Sequence, residues 1–231
     1  RHPPRSTLFP YTTLFRSEDY HWHHVEPTDD AFTFERVATQ VEMARTQGAR
    51  VLPMLAYGVD WAMTDGTTDS IDPAEYAEFA GRLAREFCAD LKDYELWNEQ
   101  NISRFWTKAP NPERYGLFLK AAATAIRAEC PDARIVFGGM ASYDDVDMFN
   151  RWGFLRRALE AHPDLCAYFD VLAHHPYSWF QFDPPEHDNL SPDTPMESQP
   201  AMTTIARQIL EAGGCCDVPV WFTEVGWPSY E

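Results

Sequence analysis

Apolar residues recur along this chain in two alternating periods. Phe34, Val37, Val41 and Ala44 follow helical spacing, and Gly48 closes that segment. The run RVLPMLAY at 50–57 predicts a strand, although Pro53 lacks the N–H that a ladder needs. Helical spacing returns with Tyr76, Phe79, Leu83 and Phe87, behind the start signal DPAE at 72–75. There Asp72 caps, Pro73 suits the first turn and Glu75 completes a box-like start. YELWN (94–98) reads as the next strand. NPER (111–114) opens a helix that turns Tyr115, Phe118, Leu119, Ala122 and Ile126 inward. RIVFGG (134–139) predicts a strand, Met148–Ala161 a helix, and FDVLAHHPY (169–177) a strand running into a loop. The stretch 178–198 is rich in Pro and Asp and has no period, and structureless loops of that length are usually functional or disordered. A helix near 201–212, the pair Gly213–Gly214 and the strand VPVWFTEV (218–225) complete the series.

Five strands separated by helices imply a parallel sheet with right-handed crossovers. An open doubly wound sheet and a (β/α)8 barrel both fit. No GxGxxG or Walker loop follows any strand, which takes weight from nucleotide-binding sheets. Gly138 and Gly139 lack the Lys or Ser of a phosphate loop and read as tight-turn residues. Three strands end in polar chemistry, at Asn98–Glu99, His174–Tyr177 and Glu224. Barrels collect catalytic groups at the C-terminal ends of several strands. The expected fold class is therefore α/β, a (β/α)8 TIM barrel in truncated form.

The first residues change the composition. PPRSTLFPYTTLFRS (3–17) reads as a translated sequencing adapter: residues 8–17 match the codons CTC TTT CCC TAC ACG ACG CTC TTC CGA TCT. Such segments stand outside fold reasoning. The expected division is 1–17 as non-native sequence and 18–231 as a partial barrel catalytic domain. The whole chain has a net charge of −17; without Arg1, Arg5 and Arg16 it becomes −20. So acidic a surface repels nucleic acid and anionic membranes and is indifferent to neutral ligands. Aromatic residues make up 14%, enough to pack a core and also to stack on sugar rings. Cys88, Cys130, Cys166, Cys215 and Cys216 are odd in number, show no metal spacing, and read as small buried or incidental thiols. No apolar run reaches membrane-spanning length.

Glu99 and Glu224 each end an aromatic-rich apolar strand, three strands apart. In a closed barrel they face each other across the mouth. Two facing carboxyls suit glycosidic-bond cleavage, one protonated to donate to the leaving oxygen and one ionised to attack the anomeric carbon. A separation of about 5–5.5 Å gives retention of configuration, and roughly 6.5–9.5 Å admits a water and gives inversion. The ionised partner also holds the acid protonated nearer neutrality.

LWNEQN, HHPYS and WFTEVGWPS, in that order and spacing, resemble the clan A retaining glycoside hydrolases, whose fold is the (β/α)8 barrel. The surrounding text is most similar to glycoside hydrolase family 39, with its β-xylosidases and α-L-iduronidases. WHHVEPTDDAFTF (22–34) resembles the segment after that family's second strand, and ERYGLFLKAAATAIRAECPDARIVFGG (113–139) its fourth helix and fifth strand. The resemblance implies Glu99 as general acid/base, Glu224 as nucleophile and Asn98 as a ligand of the sugar 2-hydroxyl. It implies that His175 and Tyr177 fill an H-x-Y pattern, with Tyr177 holding Glu224 ionised. In that frame the five strands are the third to the seventh. The first, second and eighth are missing, and Glu18–Glu231 alone is expected to be unstable and inactive.

Other signals are weaker. HWHH (21–24) places His21 and His23 at the spacing of metal-dependent barrel hydrolases, and His174–His175 offer further ligands. No strand ends in the Asp such sites need, so no metal and no cofactor is expected, and the histidines are expected to line the cleft rim or pack. Trp61, Trp106, Trp152, Trp179 and Trp227 fall on the expected active face, with Trp227 and Trp179 taken as sugar-stacking candidates. The expected activity is retaining hydrolysis of β-linked O-glycosidic bonds in an oligosaccharide or polysaccharide, with no nucleic-acid or membrane partner. A metal-dependent barrel hydrolase and a non-catalytic carbohydrate-binding barrel are the alternatives. Location stays open, with a secreted or periplasmic one favoured.

Overall fold

A computed structural model describes residues 15–142, 144–146, 152–177 and 199–225. Among the described residues, six strands form one parallel sheet in chain order: β1 (Phe15–His21), β2 (Arg50–Ala56), β3 (Asp93–Asn98), β4 (Arg134–Met140), β5 (Val171–His174) and β6 (Val220–Phe222). The connecting helices are α1 (Trp22–Val25), α2 (Glu35–Thr46), α3 (Pro73–Phe87), α4 (Pro112–Glu129), α5 (Gly153–Ala161) and α6 (Gln199–Ala212). The strand–helix alternation and the sequential strand order are those of a partial (β/α)8 barrel.

The five expected strands are present, and β1 is an addition. Its sequence, FRSEDYH, has no apolar run or clean alternation to betray it, yet it pairs over seven residues with β2. It stands next to β2, in the place of a strand expected to be missing, and runs across the boundary drawn between residues 17 and 18. Pro53 sits inside β2, and pairing to β3 begins one residue later, at Met54↔Glu95. Both proline-started helices form as expected. The Asp72 side chain accepts from the Ala74 N–H, and the Asn111 side chain from the Arg114 N–H. Helix α5 begins at Gly153 because Trp152 adopts a left-handed backbone (φ 67°); Met148–Arg151 of the expected helix lie outside the described residues. Gly138 and Gly139 belong to β4 and are not turn residues, a correction taken up below.

The core has two layers. Leu52, Val136, Val171 and Ala173, with Trp221 against them, fill the concave side of the sheet. A much larger aromatic layer lies between sheet and helices, where Trp22, Tyr76, Phe79, Trp97, Trp106, Tyr115, Phe118, Phe137 and Phe154 are all buried. Trp106 and Trp152 are therefore core residues, and Trp61 donates its ring N–H to the Glu26 carbonyl. At the N-terminal end of the barrel, buried Asp93 accepts from Arg50 (2.7 Å) and Arg134 (2.5 Å), tying β2, β3 and β4 together.

Four cysteines are not free. Cys88–Cys130 and Cys166–Cys215 form disulfides with Cα separations of 5.4 and 5.3 Å, and Cys216 is an exposed thiol. Spacing alone could not reveal them, because each bridge joins residues 42 or 49 apart that only the helix–strand turns bring together. Each closed loop contributes about 4 kcal/mol by chain entropy. Thiol titration in denaturant is expected to find one reactive group per chain before reduction and five after it. Five groups without reduction would overturn the pairing.

Candidate active site

The site grows out of an irregularity in β3. On a regular strand, neighbours alternate sides. Leu96 and Trp97 both join the helix-side core, and Trp97 takes φ 76°. This bulge-like step re-aims Asn98 and Glu99. It also spreads β3 from β4, and the buried Tyr115 hydroxyl fills the gap by donating to the Leu96 carbonyl and accepting from the Gly138 N–H. Glu99 itself has φ 45°, and its N–H is bonded to the Gly139 carbonyl at 2.8 Å.

The amides around Glu99 are a clamp. The Gln100 side chain donates to the Gly138 carbonyl, and the Asn101 side chain exchanges two bonds with Ala141. Both side chains are buried against the end of β4. Close approach there requires the two glycines. A Cβ on Gly138 would lie 2.4 Å from the Leu96 carbonyl oxygen and 2.6 Å from Gln100 Oε1. A Cβ on Gly139 would lie 2.0 Å from His175 Nε2.

His175 is fully buried and joins the strand ends. Its Nδ1 lies 3.1 Å from Glu99 Oε1 and 3.7 Å from Glu224 Oε2, and its Nε2 lies 3.1 Å from Thr223 Oγ1. Thr223 Oγ1 donates to Glu95 Oε1 (3.1 Å), which also accepts the Gly139 N–H (2.8 Å). The Tyr177 hydroxyl donates to Glu224 Oε2 at 3.1 Å, and Asn98 donates to the Tyr57 hydroxyl at 2.6 Å. One oxygen each of Glu99 and Glu224 and a ring nitrogen of His175 all lie within 4.8 Å of one another. Three strand steps of about 4.8 Å would separate β3 and β6 by roughly 14 Å in a flat sheet. The convergence therefore requires a curled sheet with both side chains turned to its concave mouth.

Burial pushes the Glu95 carboxyl up to about 7, against the pull of His175, the Thr223 hydroxyl and the Gly139 N–H. Burial opposes charge on His175 too, but the Glu99 bond and the fields of Glu224, Glu95 and Glu99 outweigh it and raise its pKa above the ordinary imidazole value. Burial takes His174 down to about 3. Tyr177 is pushed up to about 12 by burial and by the neighbouring Glu224.

The structure thus brings together Asn98, Glu99, His175, Tyr177 and Glu224; Trp179 and Trp227 lie outside the described residues. The rings of His21, His23 and His24 cluster at tilted or edge-on angles, with His21 5.5 Å from the Tyr57 ring. They are not among the groups of described residues whose ligand atoms converge. Those groups are Glu99–His175–Glu224 and Cys88–Cys130–Asp132, and the second uses disulfide sulfurs. In the first, both His175 nitrogens already have protein partners. Sequence reading missed Glu95 and Thr223. The available signal was the spacing of Glu95 in YELWN, a charged residue inside a run of buried ones.

Buried Glu95 has a stability consequence. An unfolded glutamate titrates near 4.5, whereas folded Glu95 does so at about 7. The folded chain holds the extra proton across that window, so the contribution is full below about pH 4.5 and is lost as pH rises through about 7. His175, raised above 6.5, adds a loss of the same sign at higher pH. Urea midpoints of the wild type are expected to decline from pH 4.5 to 7.5 relative to Glu95→Gln, and parallel curves would contradict a buried neutral carboxyl.

No protein-family profile and no curated protein matches the chain. Solved structures do share its fold. A family 39 glycoside hydrolase from Bacteroides cellulosilyticus WH2 aligns over 93% of this chain and 44% of its own, with TM-score 0.71 and 22% identity. A glucosidase from Croceicoccus marinus aligns over 94% and 46%, with TM-score 0.69 and 15% identity. A monomeric β-xylosidase from Caulobacter crescentus CB15 aligns over 94% and 53%, with TM-score 0.67 and 16% identity. The chain spans about half the length of these structures, and its likeness to them establishes a common barrel fold.

Proposed function

We propose that this chain carries the catalytic centre of a retaining β-glycosidase acting on an oligosaccharide or polysaccharide. The observation that carries the reading is the convergence of Glu99 and Glu224 oxygens within 4.8 Å around a buried imidazole. An oxygen from each carboxyl within that distance fits the short, retaining end of the range for paired carboxyls. The fold shared with a family 39 glycoside hydrolase and a β-xylosidase supports the same class.

In this reading Glu224 attacks the anomeric carbon while Glu99 passes its proton to the leaving glycosidic oxygen. The bond to the leaving group breaks and a glycosyl ester forms on Glu224. Glu99, now a carboxylate, takes a proton from water as that water attacks the same carbon. The ester breaks, Glu224 is regenerated and configuration is retained. The Tyr177 hydroxyl steadies the Glu224 carboxylate at 3.1 Å. Asn98 Oδ1 has no partner among the described residues, which leaves an acceptor for the sugar 2-hydroxyl. Two disulfides favour an oxidising, secreted or periplasmic setting. The activity is that of a longer protein, since the structural relatives are about twice as long as this chain.

The test uses that full-length protein with a panel of aryl β-glycosides. Glu224→Gly is expected to lose at least ~10⁴-fold in kcat. Azide should restore turnover and release the glycosyl azide of inverted configuration. Glu99→Ala is expected to lose about 10²–10⁴-fold on poor leaving groups and far less on activated ones. An azide-insensitive Glu224→Gly, or wild-type activity abolished by chelators, would overturn the reading, the second outcome in favour of a metal-dependent hydrolase.

A further inference from the structure

Glu95 lies beneath the carboxylate pair, fully buried, and neither donates to nor attacks anything in the reaction above. It is 3.9 Å from His175 Nε2, its Oε1 takes two hydrogen bonds, and its Oε2 has no partner among the described residues. A buried carboxyl oxygen left unpartnered is costly, so its retention calls for a reason.

The hydrogen-bond polarity supplies one. The Gly139 N–H can only donate, and a Glu95 carboxylate can only accept, so with Glu95 ionised Oε1 accepts from both Gly139 and Thr223. Thr223 has a single hydroxyl hydrogen, and Oε1 takes it. The Thr223 oxygen can then only accept from its other neighbour, His175 Nε2 at 3.1 Å. With Glu95 ionised, Nε2 therefore carries a proton, and the neutral ring presents a bare Nδ1 toward Glu99.

We propose that Glu95 is a positioning residue: with Thr223 Oγ1 as relay, it holds His175 in the Nε2-protonated form and so fixes one shared proton between Nδ1 and Glu99 Oε1. With a neutral ring that proton is on Glu99, as a proton donor requires. With an imidazolium it is on Nδ1. Ionised Glu95 favours the cation, and neutral Glu95 returns the proton to Glu99. The other groups facing this unit are Glu224 across Nδ1, with the Tyr177 hydroxyl on it, His174 behind on β5, and Tyr115 from α4. The catalytic consequence rests on the glycosidase reading; the placement of protons does not.

The experiment tracks ring-nitrogen resonances of ¹⁵N-histidine in the full-length protein, with His175 assigned by its loss in His175→Phe. Wild type is expected to show a protonated Nε2 throughout the titration. Glu95→Gln keeps an acceptor oxygen for Gly139 and Thr223 but removes the charge. It should keep the Nε2 proton while lowering the His175 midpoint by about one pH unit, the usual effect of deleting a charge at this range. The alkaline limb of kcat/KM should move down by the same amount. Thr223→Val should release the tautomer and lower kcat/KM about tenfold, and Thr223→Ser should restore both. A folded Glu95→Gln protein with an unmoved His175 midpoint, or a Thr223→Val protein with Nε2 still exclusively protonated, would overturn the proposal. If the nitrogen signatures behave as expected but no glycoside is cleaved, the relay stands and the glycosidase reading falls.

Discussion

The arrangement at the mouth depends on two missing side chains. At Gly138 and Gly139 β4 runs where a Cβ would clash, since one would fall 2.4 Å from a β3 carbonyl oxygen and 2.0 Å from His175 Nε2. Because the ring can occupy the space a Gly139 side chain would fill, His175 is fully buried and still reaches Glu99, Glu224 and Thr223. Because β3 can step outward beside Gly138, Trp97 enters the helix-side core while Asn98 and Glu99 turn to the concave side. The glycines are thus spacing elements: the geometry of the candidate site is set by what β4 leaves out.

That geometry carries local costs. Trp97 and Glu99 hold left-handed backbone angles, and Glu95, Asn98 and Gln100 each bury an oxygen with no partner among the described residues. Left-handed non-glycine residues cost of order 1–3 kcal/mol each. The offset is the aromatic layer directly behind them. Trp97 is wedged among Tyr76, Trp106 and Phe118 at ring separations of 5.2 to 6.1 Å, and two hydroxyls from that layer, on Tyr76 and Tyr115, satisfy the strand carbonyls of Leu55 and Leu96. The high aromatic content therefore serves the scaffold that holds the strained turn, and only secondarily the cleft.

Much of this was legible from periodicity. Helices α3 and α4 announce themselves through Asp72–Pro73 and Asn111–Pro112, because cap and first-turn preferences are local. Glu99 and Glu224 stood out because a charge at the end of an apolar strand is conspicuous. What escaped were features fixed by tertiary approach. Strand β1 is polar and exists through pairing with β2. The disulfides join turns that are distant in sequence. Gly138–Gly139 looks like a turn until a ring is found against it. YELWN shows Glu95 as a charge inside an apolar run, but not the contacts from β4 and from Thr223 just after β6 that bury it.

Under the proposed retaining mechanism, a histidine between the carboxyls is suited to accompany Glu99 through a change of role. In a retaining reaction that carboxyl is a donor in the first half and an acceptor in the second. Lysine or arginine can only donate and would favour the ionised form throughout; an amide or hydroxyl carries no titratable proton near neutrality. An imidazole with Nε2 pinned can accept at Nδ1 from the acid and donate from Nδ1 to the carboxylate without moving. Pinning is the necessary part, because a ring free to exchange tautomers would offer an N–H to an acid that has none to receive it. In the proposed relay the buried chain from the Gly139 N–H through Glu95 and Thr223 supplies that fixed direction, which gives a reason for a carboxyl with no place in the bond-breaking steps to lie buried between Tyr94 and Leu96 of β3.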